Sequence, residues 1–275
     1  MSDVDETMHD DTTQADLIAA ALWAAEQGRA PVAPPSASHP HLDLAGAYRV
    51  QRINISRRLD EGQTRVGHKV GLTSLAMQAQ LGVDRPDFGV ITDTMVVANG
   101  GMLALDELIA PRVEAEFAFV IGRPLVARPS VEELREAVTG VAVALEIIDS
   151  RVADWRITLV DTVADNASSA RIVVGPIRAA TDAVLAETVD AVISLQHDEE
   201  QVAEGPGSAV LGDPVRALHW LSDALADFGD AFDPGDIVLA GAVHASLALT
   251  GGIWTAGAPG FENATFHGIT SGSIQ

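Results

Sequence analysis

One stretch narrows the possible folds sharply: Val141-Ala-Val-Ala-Leu-Glu146-Ile-Ile-Asp149. It is apolar at odd and even positions alike, so as a strand it needs cover on both faces and belongs inside a sheet. Glu146 sits within it between Leu145 and Ile147. A lone ionised carboxylate in such a place costs on the order of several kcal/mol. The group must therefore be protonated, paired with a base such as Arg151 or Arg171, or bound to a cation.

A second strand raises the same question. In Arg112-Val-Glu114-Ala-Glu116-Phe-Ala-Phe-Val-Ile121, alternation sends Glu114 and Glu116 to one face and Val113, Ala115, Phe117 and Phe119 to the other. The two carboxylates then stand about 7 Å apart along the strand. Alone, the segment reads first as a solvated outer face over a buried one, since exposed strand carboxylates are ordinary. Beside Glu146 it reads differently, because three carboxylates on adjacent strands repel one another unless a cation joins them. Hard oxygen ligands suit Mg2+ or Mn2+. The chain has no cysteine, which excludes thiolate metal sites, disulfides and cysteine nucleophiles together.

Charge excludes further classes. Thirty-nine acidic residues against seventeen basic ones leave a net charge of -22, a field that repels nucleic acid and anionic lipid. No apolar run approaches the ~18 residues of a membrane span, and the acidic N-terminus is unlike a secretory signal. The expectation is a cytoplasmic protein that binds neither nucleic acid nor membrane. Nucleotide-binding glycine motifs, the serine-hydrolase elbow and the zincin motif are absent from the sequence. His244, in an apolar segment, reads as a satisfied core or rim histidine. Val66-Gly-His-Lys69-Val-Gly71 places a lysine between glycines, where backbone can approach a ligand closely.

Along the chain, residues 1–12 are acidic and almost without apolar side chains, which predicts a mobile tail. Helical spacing follows from Thr13 to Gln27, then a proline-rich connector, then a second helix capped by Asp43 and running to about Leu59. These make an N-terminal helical part over 13–66. From 67 to 275 the texture is β-rich, with strands expected at Val90–Val97, Arg112–Ile121, Val141–Ile148, Arg171–Val174, Val189–Gln196 and Asp236–Ala240. Helices are expected at Ser74–Leu81, at Val131–Val138 behind a Ser130/Glu133 capping box, and at Pro214–Phe228. Strands and helices do not alternate regularly, so the expected class is α+β with a mixed or antiparallel sheet.

Four ordered motifs carry a resemblance: GHKVGLTSLAMQAQLGVDRPDFG, PRVEAEFAFVIG, VAVALEIIDSR and DTVADNASSAR. Together they resemble the 2-hydroxypentadienoate hydratases of aromatic and steroid ring degradation, in the fumarylacetoacetase superfamily with the similar 4-oxalocrotonate decarboxylases. The resemblance runs from about Asp43 to Gly241. It implies a coiled β-roll body, a homo-oligomer, and Mg2+ or Mn2+ held by Glu114, Glu116 and Glu146. It implies Lys69 and Asp87 as catalytic residues, with Phe88, Asn166 and Ser168 lining the substrate pocket. The implied substrate is a small anionic 2-hydroxydienoate, and the implied partner is a decarboxylase or aldolase of the same pathway. Lys69, near a cation and a helix start, would then have its pKa pushed toward neutrality. The segment after Leu247 departs from the family's closing turn and last strand and reads as rich in loop.

Overall fold

The structure, a computed structural model, describes residues 3–74, 78, 83 and 85–270. Helix α1 spans Asp3–Gly28, and its packed side chains begin at Ala15, Ile18, Ala19 and Leu22. After the short α2 (Pro35–Ser38) comes α3 (Leu44–Asp60), whose N-cap Asp43 accepts a hydrogen bond from Gly46 N as the sequence predicts. Most of the helix expected at Ser74–Leu81 lies outside the described residues. None of the helices among the described residues is long and apolar enough to cross a membrane.

The strands are β1 (Arg65–Gly71), β2 (Asp87–Thr92), β3 (Val96–Val97), β4 (Gly101–Ala104), β5 (Arg112–Ile121), β6 (Val138–Ile148), β7 (Ser169–Val174), β8 (Arg178–Ala179), β9 (Val192–His197), β10 (Glu200–Pro206), β11 (Ile237–Leu239), β12 (Leu247–Ala248), β13 (Gly252–Gly257) and β14 (Ala264–Ile269). Nine of them form one sheet along the path β2-β1-β11-β5-β6-β7-β3, with β12 on β5 and β8 on β6. A five-stranded sheet runs β10-β9-β13-β14-β4.

The expected strand Val90–Val97 is broken by a 3-10 turn at Asp93–Met95. Its halves, β2 and β3, stand at opposite ends of the nine-stranded path although three residues separate them in sequence. The sheet must therefore curl back on itself into a half-barrel. Register fixes what faces inward. Lys69 pairs with Gly89 and with Leu239, Leu239 with Ala118, Glu114 with Glu146, and Glu146 with Ile172. Ile91, Met95, Ala118, Ala144, Ile172 and Leu239 pack together as a small inner core. The opposite faces of β5 and β6, with Val113, Phe117, Phe119, Val143, Leu145 and Ile147, pack into the main core.

The α+β expectation therefore holds, as a curled sheet of the expected kind with helices at the N-terminus. Several elements depart from the sequence reading. Helices form at Leu159–Ala164 and Asp182–Asp190, the second taking residues assigned to the start of β9. The segment after Leu247, expected to be loop, supplies β12, β13 and β14. Gly, Ala and Thr fill seven of the twelve positions in β13 and β14, so their hydrophobic alternation is faint although their ladder is regular.

Candidate active site

The carboxylates of Glu114, Glu116 and Glu146 meet on the inner face of the half-barrel. One ligand oxygen from each lies within 4.8 Å of the others, and all three residues are buried. The cause is register: Glu114 is directly opposite Glu146, and Glu116 is one inward position further along β5. Glu116 Oε2 accepts a hydrogen bond from Gly241 N at 2.8 Å. Glu116 Oε1 and Glu146 Oε1 are buried without a hydrogen-bond partner.

Burial and mutual repulsion shape the charge state. Glu114 is pushed up to about 7, first by burial and then by Glu146. Glu116 is held well above the ordinary carboxylate range by burial and by both other glutamates. Glu146 is also raised by burial, while the Lys69 ammonium pulls it the other way. Orphaned buried oxygens, close mutual approach and a hard oxygen donor set fit a divalent cation.

Lys69 is the chain's only lysine. Its Nζ lies 3.3 Å from Glu146 Oε2 and donates to Ala167 O at 3.1 Å. Of the partners left open above, Arg151 pairs with Asp165 and Arg171 with Glu107, so Glu146 takes the lysine. In the metal-free protein the Lys69 pKa does not fall. Burial lowers it, but Glu146, Asp87, Glu114 and Glu116 outweigh burial and hold it above its ordinary value. Asp87 faces Gly71 across the β1–β2 ladder, so it is on the inner face with Lys69. Its carboxyl is raised by burial, with Lys69 opposing. The glycines around Lys69 serve packing, since a Cβ on Gly71 would collide with Asp87 Oδ1 and one on Gly67 with Ile237 O.

Lys69, Gly71, Asp87 and Glu114 line a cavity of about 310 Å³ that also includes Thr73, Arg112, Ile148, Trp155, Ser168 and Ser246, and Glu116 and Glu146 are not among its lining residues. Ser168 Oγ is buried and unpartnered beside it. Phe88 and Asn166 are not among its walls. Phe88 points to the other face of β2, stacked on Tyr48 at 4.7 Å between ring centroids, in a larger apolar recess of about 540 Å³ that holds none of the three glutamates. Asn166 spends its amide on Val90, accepting from its N at 2.8 Å and donating to its O at 2.9 Å. His244 is satisfied, with Nε2 accepting from Ala115 N at 3.3 Å and Nδ1 donating to Ala245 O at 2.8 Å.

Arg112 escaped the sequence reading. Its guanidinium lies 4.9 Å from the Trp155 ring centre and donates weakly to Ser246 Oγ at 3.4 Å. The signal was available: Arg112 shares the inward parity of Glu114 and Glu116 on one strand.

Comparison with known proteins agrees with this geometry. Residues 66–259 match the model of the fumarylacetoacetate (FAA) hydrolase C-terminal family. The chain is 40% identical over 240 residues to 2-keto-4-pentenoate hydratase of Paraburkholderia xenovorans, covering 87% of this chain and 88% of that one. It is 35% identical to 2-hydroxyhexa-2,4-dienoate hydratase of Comamonas testosteroni, covering 81% and 84%. Among solved structures, 4-oxalocrotonate decarboxylase from Pseudomonas putida G7, complexed with magnesium and adipate, superposes with a TM-score of 0.89 at 30% identity, covering 94% of this chain and 98% of that one. Fumarylpyruvate hydrolase from Pseudomonas aeruginosa, in complex with Mn2+ and pyruvate, shares the fold at a TM-score of 0.61 and 19% identity, covering 76% and 90%. A family match across the whole curled sheet, relatives of about 40% identity over most of the chain and an inward acidic triad lead to one assignment: the chain belongs to the fumarylacetoacetate hydrolase family.

Proposed function

We propose that this protein is a metal-dependent hydro-lyase that adds water to a 2-hydroxy-2,4-dienoate of the 2-hydroxypentadienoate type, giving a 4-hydroxy-2-oxo acid. The observation that carries the reading is a cavity lined by Lys69, Asp87 and Glu114, with Glu114 in a buried carboxylate triad with Glu116 and Glu146. Glu114, Glu116 and Glu146 would hold the ion, Mg2+ or Mn2+. When bound, the ion supplies Lewis-acid stabilisation of negative charge on the substrate's C2 oxygen.

The remaining work falls to side chains of this chain. In the reaction, hydroxyl bonds to C4, while the enol proton and the second proton of water end on C3 and C5. Asp87, its carboxyl raised by burial, is placed to hand a proton to the carbon chain and take one from water. Lys69 keeps a positive charge beside it. Arg112 supplies a cation facing no carboxylate closely enough to form an ion pair among the described residues, which suits a substrate carboxylate. Leu72, Ile148, Ile157 and Trp155 offer an apolar wall to the hydrocarbon end. With a net charge of -22 there is no long-range attraction for an anion, so recognition is local.

The structural likeness to the decarboxylase favours a second reading, loss of CO2 from a 2-oxo dioic acid, in which the same site stabilises the dienolate. Sequence identity is higher to the hydratases, 40% against 30%. The deciding experiment offers 2-hydroxypenta-2,4-dienoate and 4-oxalocrotonate separately with Mg2+, recording hydroxy-acid product and CO2 independently. Water addition to the first without CO2 from the second supports the hydratase. CO2 release without hydration replaces it with the decarboxylase.

A further inference from the structure

Asn166, Ala167 and Ser168 have φ of 54°, 51° and 56° in succession. One complete left-handed turn is thus built from residues that carry a Cβ, a conformation such residues avoid. The turn persists because its surroundings fix it. Ser168 O accepts from Asp149 N at 2.8 Å, and the preceding Asp165 forms a buried ion pair with Arg151. Arg151 also donates to Ser169 O at 3.2 Å, just after the turn.

Asn166 contributes the most specific restraint. β2 is the end strand of its sheet, and the Asn166 side-chain amide both donates to and accepts from the Val90 backbone there, as a neighbouring strand would. Gly89 makes the approach possible, since a Cβ on it would stand 2.5 Å from Asn166 O. The turn is thereby pinned across the inner face next to Lys69. Its middle carbonyl, Ala167 O, accepts from Lys69 Nζ at 3.1 Å while Glu146 Oε2 lies 3.3 Å from the same nitrogen.

We infer that Asn166 is a positioning residue: by clamping the left-handed turn to Val90, it sets the Ala167 carbonyl that fixes the Lys69 ammonium, and it acts on the reaction without touching substrate. The inference rests on the hydratase reading for its kinetic test alone. Lys69 being the only lysine, protein grown on labelled lysine gives one side-chain resonance, which reports the clamp without any turnover.

Asn166→Gly removes both bonds to Val90 while relieving the Cβ conflict of the left-handed conformation, so the fold should survive. The expected result is kcat reduced on the order of 10-fold to 100-fold, KM and Mg2+ affinity within about 3-fold of wild type, and a displaced Lys69 resonance. Asn166→Asp keeps an acceptor for Val90 N and loses the donor to Val90 O, so it should fall between the two. It also serves if the glycine variant fails to fold. Asn99, which clamps the Asn263 and Thr265 backbone in the other sheet, is the control: Asn99→Gly should leave kcat and the Lys69 resonance unchanged. Wild-type kcat with an unmoved resonance in both Asn166 variants overturns the inference. So does a rise in KM alone, which would put Asn166 in contact with substrate. If wild-type protein fails to hydrate the dienoate, the functional reading falls, and the resonance still decides the clamp.

Discussion

The carboxylate of Asp87 occupies the space into which a side chain on Gly71 would grow, and the two residues are direct partners across the β1–β2 ladder. Gly71→Ala should therefore push Asp87 out of place without altering any ionisable group. The expected outcome is a fall in kcat similar to that of Asp87→Asn, ~10²-fold to 10⁴-fold for loss of general acid-base catalysis, with Mg2+ affinity within a few fold of wild type. Steady-state kinetics and calorimetric Mg2+ titration check both variants. A Gly71→Ala enzyme with full kcat would show that Asp87 needs no fixed place.

The triad predicts opposite effects of one substitution with and without metal. Glu116→Gln removes an ionisable carboxyl from a buried cluster whose members repel one another, so the metal-free variant should melt no lower than metal-free wild type at pH 8. Saturating Mg2+ should raise the wild-type melting temperature, because a ligand at ~100 times its Kd stabilises by about 2.7 kcal/mol. The variant should lose most of that gain together with activity. Equal metal-induced shifts in both proteins would remove Glu116 from the ligand set.

The pH dependence follows from Glu114. Its folded pKa of about 7 lies above the ordinary 4.5, so the folded state holds the proton more tightly than the unfolded state. Stability from this group is fully present below pH ~4.5 and is lost as pH rises through 7, by about 3 kcal/mol at ~1.4 kcal/mol per pH unit. Metal-free protein should thus be less stable at pH 8 than at pH 5.5, and saturating Mg2+ should shrink the difference because bound carboxylates stay ionised. Thermal melts with chelator and with Mg2+ at both values test this. A metal-free protein that gains stability across the interval would contradict it.

For Arg112 the expected signature is in binding. Arg112→Gln should raise KM for an acid substrate by about 10-fold to 100-fold, as expected when a charged hydrogen-bond partner is lost, with kcat changed much less. Preference for the acid over its methyl ester as inhibitor should fall in parallel. Arg112→Lys should recover only part, lacking the planar fork that rests on Trp155. Unchanged ester discrimination would separate Arg112 from the carboxylate.

What was legible in the sequence was what strand alternation controls. The bounds of β5 and the inward parity of Glu114 and Glu116 followed from Val113, Ala115, Phe117 and Phe119 being apolar in alternation, and Glu146 stood out as a charge inside an apolar strand. The same rule shows why Phe88 could not accompany Asp87: neighbours in a strand face opposite ways, and the structure sends one to the cavity and the other to the aromatic recess. Asn166 and Ala167 were opaque, because residues with a Cβ give no hint of a left-handed turn that distant partners impose. β13 and β14 were faint for a different reason, since their Gly, Ala and Thr positions are stabilised by ladder bonds more than by side-chain contrast.

The parallel pairing of β1 with β11 sets a timetable for biosynthesis. Lys69 emerges from the ribosome early, yet its strand gains its parallel neighbour only when Leu239 has been made, and the Gly241 N–H that holds Glu116 follows just after. Synthesis proceeds from the N-terminus and contacts of such separation form slowly. A nascent chain that already carries Glu114, Glu116 and Glu146 therefore lacks the framework that aligns them. Partial products that stop short of Leu239 should be unable to bring the three carboxylates into register.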